Sequence, residues 1–229
     1  MGLGYIGLPT AIIAAKHGID VIGVDINKEV VETTNEGRLH IIEPGLESLL
    51  KDVVTNGKLK AYTEPQICDA YFIVVPAPFK GDHEPDISYV EAATRMVIPL
   101  LKPNDLFVIE STSPIGTTEK MMNLIYETRP ELKDLIYIAY CPERVLPGNV
   151  IYELENNDRV IGGINEASTE KAKEFYSIFV KGNLHSTNSR TAEKCKLTEN
   201  STSGVQIAFA KELAKIREKA GIKVWELIE

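Results

Sequence analysis

Glycines stand at positions 2, 4 and 7 in the run Gly2-Leu3-Gly4-Tyr5-Ile6-Gly7, and Asp25 follows eighteen residues after the last of them. That spacing suits the binding of a dinucleotide. The first glycine permits a tight turn, the second lets backbone approach a pyrophosphate, and the third lets a helix pack closely on a strand. A helix opening near Pro9 would aim free N–H groups and a partial positive charge at the phosphates. An acid at position 25 accepts hydrogen bonds from ribose hydroxyls and repels a 2′-phosphate, so the expected cofactor is NAD rather than NADP. The bland alternative is a glycine-rich turn beside a surface aspartate.

Three more segments carry polar chemistry directly after apolar runs. They are Val75-Pro76-Ala77-Pro78-Phe79-Lys80, the stretch from Glu110-Ser111-Thr112 to Thr118, and Tyr140-Cys141-Pro142-Glu143-Arg144-Val145. In open α/β sheets ligands bind at the carboxyl ends of strands, so three such loops in succession point to one shared site. For any one of them a simple strand-to-helix turn is the ordinary reading. Further along, Lys196 and Asn200 are four residues apart and share one face of a helix. Together they could hold an oxyanion or a catalytic water, although a solvated face is the commoner fate of a lysine.

The elements that must position these groups follow from the hydrophobic pattern. Val21-Ile22-Gly23-Val24-Asp25, Tyr71-Phe72-Ile73-Val74-Val75, Leu106-Phe107-Val108-Ile109-Glu110 and Leu135-Ile136-Tyr137-Ile138-Ala139-Tyr140 read as strands covered on both faces. Leu59-Lys60-Ala61-Tyr62 reads as an edge strand and Arg159-Val160-Ile161-Gly162-Gly163 as a later one. Helices are expected over 9–17, 28–35, 44–55, 86–101 with Asp86 as cap, 117–128, 167–180 and 191–220. The last has an apolar face of Leu197, Val205, Ala208, Phe209, Leu213 and Ile216. A further apolar run, Lys223-Val224-Trp225-Glu226-Leu227-Ile228, closes the chain. This β-α-β rhythm predicts an α/β fold: a Rossmann-like, doubly wound parallel sheet followed by a long helix.

Composition narrows the partners. The 229 residues are 44% hydrophobic and 25% charged, ordinary for a globular protein, and the formal net charge is −8. A field of that sign repels nucleic acid. No apolar run approaches the roughly 20 residues of a membrane helix, and no signal peptide is visible. The three cysteines, Cys68, Cys141 and Cys195, form no CxxC pair, which points to a reducing cytoplasm. No set of metal ligands is assigned.

The segments GLGYIGLPTA, VIGVDIN, VPAPFKGDHEPD, ESTSPIGTTEK, AYCPERVLPG, NDRVIGG, TNSRTAEKCKLTEN and IAFAKEL resemble the UDP-glucose/GDP-mannose dehydrogenase family over essentially the whole chain. KGDHEPD and YCPERVLPG are most similar to the branch acting on UDP-N-acetyl-D-mannosamine. The resemblance implies NAD-dependent oxidation of a sugar C6 alcohol to a carboxylate, in two steps through a cysteine-bound intermediate, for surface polysaccharide synthesis. It implies that Gly2, Gly4, Tyr5, Ile6, Gly7, Asp25, Pro76 and Thr112 bind NAD. Thr112, Glu143, Lys196 and Asn200 would be catalytic, and Glu143, Arg144, Lys196 and Asn200 would contact the UDP-sugar. It also implies a homodimer formed through the long helix.

Departures from the family pattern are expected to matter. Ala77 stands where the family carries threonine, and Ser203, Gly204, Gln206 and Lys211 replace Arg, Asp, Asn and Asn. Only Met1 precedes Gly2, so the strand leading into the fingerprint is expected to be truncated and NAD binding weak or absent. The family's nucleophilic cysteine lies in a GGHC-type loop, a context none of the three cysteines has. The expected organisation is an NAD-binding domain over 1–188 and the start of a central dimerisation domain over 189–229, without the UDP-binding C-terminal domain. The alternatives are a β-hydroxyacid dehydrogenase, a non-catalytic NAD-binding module, and action on UDP-glucose or UDP-N-acetylglucosamine.

Overall fold

The computed structural model describes residues 1–81, 84–146 and 148–220. Asp82 and His83 of the KGDHEPD segment, Pro147 of the CPERVLPG segment and the run Lys223-Val224-Trp225-Glu226-Leu227-Ile228 lie outside the described residues. In chain order the elements are α1 (Gly7–Lys16), β1 (Val21–Val24), α2 (Lys28–Asn35), α3 (Leu46–Thr55), β2 (Leu59–Tyr62), β3 (Ala70–Ile73) and a short hairpin of β4 (Phe79–Lys80) and β5 (Glu84–Pro85). Then come α4 (Ser88–Val97), β6 (Leu106–Ile109), α5 (Thr117–Thr128), β7 (Tyr137–Tyr140), α6 (Val150–Asn156), β8 (Arg159–Gly163), α7 (Glu166–Tyr176), β9 (Leu184–Asn188) and α8 (Ser189–Ala220).

The ladder has two parts, a parallel pair β2-β1 and a five-stranded sheet in the order β3-β6-β7-β8-β9. Residues 1–3 run between them. The Gly2 N–H donates to Val24 O at 2.7 Å on one side, while Val74 N–H donates to Met1 O at 2.8 Å on the other. The Met1 ammonium donates to Phe72 O at 2.9 Å. This short stretch therefore holds the place of a central strand. Pairing is parallel from β3 through β7, after which β8 runs antiparallel to β7 and β9 parallel to β8. The long αβ crossovers expected of a doubly wound sheet account for the parallel portion.

Strand β6 explains why the apolar runs are continuous. Phe107 and Ile109 pack with Val90, Val97, Met121 and Ile125 of α4 and α5. Leu106 and Val108 pack on the other face with Ile13, Leu154, Ala172 and Tyr176 of α1, α6 and α7. All four strand residues are buried, and each such side chain contributes about 1.5–3 kcal/mol of transfer free energy. Helices α2 and α5 have the predicted bounds. Helix α4 is shorter than 86–101 because the chain tightens into a 3-10 turn at Ile98–Leu100. Asp86 lies one residue before the cap position, yet its Oδ1 still accepts the Ser88 N–H at 2.9 Å. Strand β9, helix α6 and the β4–β5 hairpin were not foreseen. Helix α6 (VIYELEN) is only seven residues long, the hairpin strands two residues each, and β9 (LHSTN) is polar and mostly exposed, so none carries much periodicity.

Helix α8 is 32 residues long, and only its beginning is packed. Ala192 and Glu193 are fully buried, whereas residues 201–216 are exposed apart from half-buried Leu213. Gly204 has open space around the position of an added Cβ. Gly204→Ala is therefore expected to raise α8 helicity and local stability by up to ~1 kcal/mol. Circular dichroism and amide exchange of α8 check this; unchanged or lower helicity with faster exchange in the alanine variant would contradict it.

Candidate active site at the carboxyl ends of the strands

The loops after β1, β3, β6 and β7 open into one cavity of about 710 Å³. Gly2, Gly4, Tyr5 and Ile6 line it at one end with Asp25, and Thr112, Glu143 and Lys196 line it at the other, with Pro76 and Ala77 between them. The three glycines differ in their surroundings. Gly2 has φ +90°, and a Cβ there would lie 2.4 Å from Val74 O, so side chains are excluded twice over. A Cβ on Gly7 would meet Gly2 O, which fixes Gly7 as the close-packing glycine outside the cavity lining. A Cβ on Gly4 would meet nothing within 4 Å, leaving room beside it for a ligand. These features fit a dinucleotide cradle.

Asp25 lies at the end of β1. One of its oxygens accepts the Leu3 N–H at 2.9 Å and the other the Asn27 N–H at 2.9 Å. Each oxygen retains a lone pair for a ribose hydroxyl. Tyr5 differs from the simple reading. Its ring lines the cavity, but its hydroxyl donates to Glu43 Oε2 at 2.7 Å. Buried Glu43 also accepts the Gly148 N–H at 3.0 Å and the Val150 N–H at 2.9 Å. Burial pushes its carboxyl up, but Gly148, Tyr5 and Val150 together hold it below the usual range.

The loop after β6 is tied to its neighbour through Ser111. The Ser111 hydroxyl accepts the Val75 N–H at 2.9 Å and donates to Val75 O at 2.8 Å. Thr112 is thereby left exposed toward the cavity. Buried Glu143 is held firmly. Its Oε1 accepts the Arg144 N–H at 2.6 Å, and its Oε2 lies 2.9 Å from Nη2 of Arg159, close as an ion pair without the alignment of a hydrogen bond. Arg159, from β8, is equally buried and lies with its guanidinium 5.1 Å from the centroid of the Tyr176 ring. Lys196 donates to the Glu143 carbonyl at 2.5 Å, and burial lowers its pKa.

Arg144 and Asn200 do not line this cavity. They face an adjoining groove of about 1040 Å³ that shares Lys196 and Val145 with it. Arg144 pairs there with Glu199 at 2.8 Å. The two hollows meet at Lys196, so that lysine reaches both. None of the cysteines has a nucleophile's surroundings: burial raises Cys68 and pushes Cys141 up to about 12, and Cys195 lies on the α8 side of the groove.

Sequence reasoning missed four site residues. Glu43, Glu110 and Arg159 lie within quoted or adjacent segments without an assigned role. Glu193 is the clearest omission. It is fully buried on α8 and accepts the Gly116 N–H at 2.6 Å, the Thr118 N–H at 2.8 Å and the Thr118 hydroxyl at 2.7 Å. It thus caps the start of α5 across 75 residues of sequence, and it locks the Thr112 loop to the helix carrying Lys196. The available signal was its position three residues before Lys196, on the same helix face. Glu193→Ala is expected to lower stability by about 2–4 kcal/mol, since three donors lose a charged acceptor. Denaturant titration measures it, and a loss below 0.5 kcal/mol (about the level of a surface substitution) would exclude the capping role.

Comparison with known proteins supplies the context. Residues 1–180 match the NAD binding domain, and residues 190–229 the central domain, of the UDP-glucose/GDP-mannose dehydrogenase family. The UDP-N-acetyl-D-mannosamine dehydrogenase of Escherichia coli (strain K12) is 54% identical over all of the chain and 56% of its own length. The NDP-N-acetyl-D-galactosaminuronic acid dehydrogenase of Ralstonia nicotianae is 50% identical over the same shares. The structure of a UDP-D-ManNAc dehydrogenase from Pyrococcus horikoshii superposes with a TM-score of 0.91 at 43% identity, over 99% of this chain and 55% of that one. The chain thus spans a little over half the length of the relatives it matches. Among the described residues no helix is long and apolar enough to cross a membrane.

Proposed function

The chain belongs to the UDP-glucose/GDP-mannose dehydrogenase family, and on that premise we propose that it is the NAD-binding portion of a UDP-N-acetyl-D-mannosamine dehydrogenase of the cytoplasm. The observation carrying this reading is the single cavity that joins the glycine fingerprint and Asp25 to Thr112, Glu143 and Lys196. The 54% identity to the Escherichia coli enzyme supports the mannosamine substrate over UDP-glucose. We place the domain boundary at 188/189, a position supported by the end of β9 at Asn188 and the start of α8 at Ser189.

In this reading NAD supplies the hydride acceptor. Gly2 and Gly7 shape the turn, and Gly4, Tyr5 and Ile6 face the pyrophosphate. Asp25 would accept the ribose hydroxyls, and Pro76 and Thr112 would hold the nicotinamide end. The Lys196 ammonium stabilises negative charge as it develops on the sugar oxygen, and the Glu143 carbonyl holds that ammonium at 2.5 Å. Glu143 orients the reacting group at the meeting of the two hollows. Arg144 and Asn200 bind the sugar nucleotide in the adjoining groove. The hydrogen bonds of residues 1–3 to both neighbouring strands argue that the fingerprint is held well enough to bind NAD, against the weak binding expected from sequence. Calorimetry should find NAD bound at least tenfold more tightly than NADP. Asp25→Asn should narrow that gap by about tenfold, the worth of one removed repulsion of ~1.4 kcal/mol. Equal affinity for the two cofactors in the unchanged chain would rule the assignment out.

A homodimer through α8 completes the proposal. Val205, Phe209 and Ile216 are 58–69% exposed and fall with Leu213 on one face of the helix. A second copy of that stripe is the partner of matching chemistry. Sedimentation should give a dimer, and Phe209→Glu a monomer. A monomeric parent chain would defeat this part alone.

A further inference from the structure

The floor of the cavity holds a carboxyl group that the dehydrogenase reading does not use. Glu110 follows β6 directly, is 3% exposed and lines the cavity together with Thr112, Glu143 and Lys196. Its Oε1 accepts the Tyr176 hydroxyl at 2.5 Å. Its buried Oε2 has no hydrogen-bond partner among the described residues. The nearby Arg159 is already committed to Glu143 at 2.9 Å and to the face of Tyr176. Arg159 therefore lies beside two buried carboxyl groups, and ionisation of Glu110 adds one negative charge under this end of the cavity.

Distance fixes which part of a dinucleotide meets that charge. From β1, which carries Asp25, to β6, which carries Glu110, the order runs through residues 1–3 and β3. Three inter-strand steps span on the order of 14 Å. An extended dinucleotide with its adenosine ribose on Asp25 would reach the end of β6 with its nicotinamide. The nicotinamide ring is cationic when oxidised and neutral when reduced.

Resting on the dehydrogenase reading, we infer that Glu110 is the specificity-determining residue that makes the site prefer NAD⁺ to NADH, through the charge of its carboxylate against the pyridinium ring. The preference releases the reduced cofactor after each hydride transfer. Burial pushes the Glu110 carboxyl up to about 7, so the charge is present above that pH and lost as the pH falls through it. The groups facing Glu110 are Arg159 of β8, Cys141 and Glu143 after β7, Tyr176 of α7 and the Met1 ammonium. Lys196 of α8 joins them across the cavity.

The test measures dissociation constants of NAD⁺, NADH and ADP-ribose from pH 5.5 to 8.5 on the chain and on Glu110→Gln. ADP-ribose lacks the nicotinamide and reports the rest of the site. In the parent chain the ratio of the NADH to the NAD⁺ constant should rise about five- to tenfold as the pH passes 7. In Glu110→Gln that rise should vanish, with ADP-ribose affinity within twofold of the parent. A flat ratio in the parent, or an undiminished rise in the variant, overturns the inference while leaving the dinucleotide reading intact. Failure of the parent to bind any of the three ligands overturns both. Should Glu110→Gln not fold, the parent's own pH series decides the matter.

Discussion

The architecture depends on one short zipper. Residues 1–3 hydrogen-bond to Val24 on one side and to Phe72 and Val74 on the other, joining the β1–β2 pair to the five-stranded sheet. The same stretch carries the first glycine of the fingerprint, and its Leu3 N–H holds Asp25. Gly2 and Gly7 must both lack a side chain because backbone occupies the space a Cβ would need. The close approach that closes the sheet is thus the close approach that shapes the cofactor cradle.

Buried acids carry much of the remaining organisation, and each works over a long sequence distance. Glu193 caps α5 from α8. Glu43 gathers Tyr5, Gly148 and Val150. Glu155 takes Lys16 at 2.6 Å, Lys181 at 2.7 Å and His17 at 3.2 Å. Burial opposes its ionisation, yet these three partners bring its carboxyl down to about 2. A buried carboxylate is tolerable only when donors surround it. These three therefore mark where loops are fastened to one another, and two of the fastened loops line the cavity.

The charges under the cavity follow a different rule. Glu43, Glu155 and Glu193 are saturated with donors, whereas Glu110 and Glu143 share Arg159. Incomplete satisfaction of that kind is costly for stability, and it is found here beneath the cavity that Thr112 and Lys196 also line. Functional sites are where such unbalanced groups are expected to collect.

The sequence by itself determined the fold class, most strand and helix bounds, the turn positions of the glycines and the polar segments at the ends of β6, β7 and along α8. All of these rest on local signals: hydrophobic period, turn residues, and spacing along one element. What only the tertiary structure decided were relations between elements. It separated Arg144 and Asn200 into an adjoining groove, turned the Tyr5 hydroxyl away to Glu43, reversed β8 in the sheet, and put Glu110, Glu143 and Arg159 in one cluster. No local pattern encodes these, because a hydrogen bond or ion pair between residues tens of positions apart is specified by the packing that brings them together.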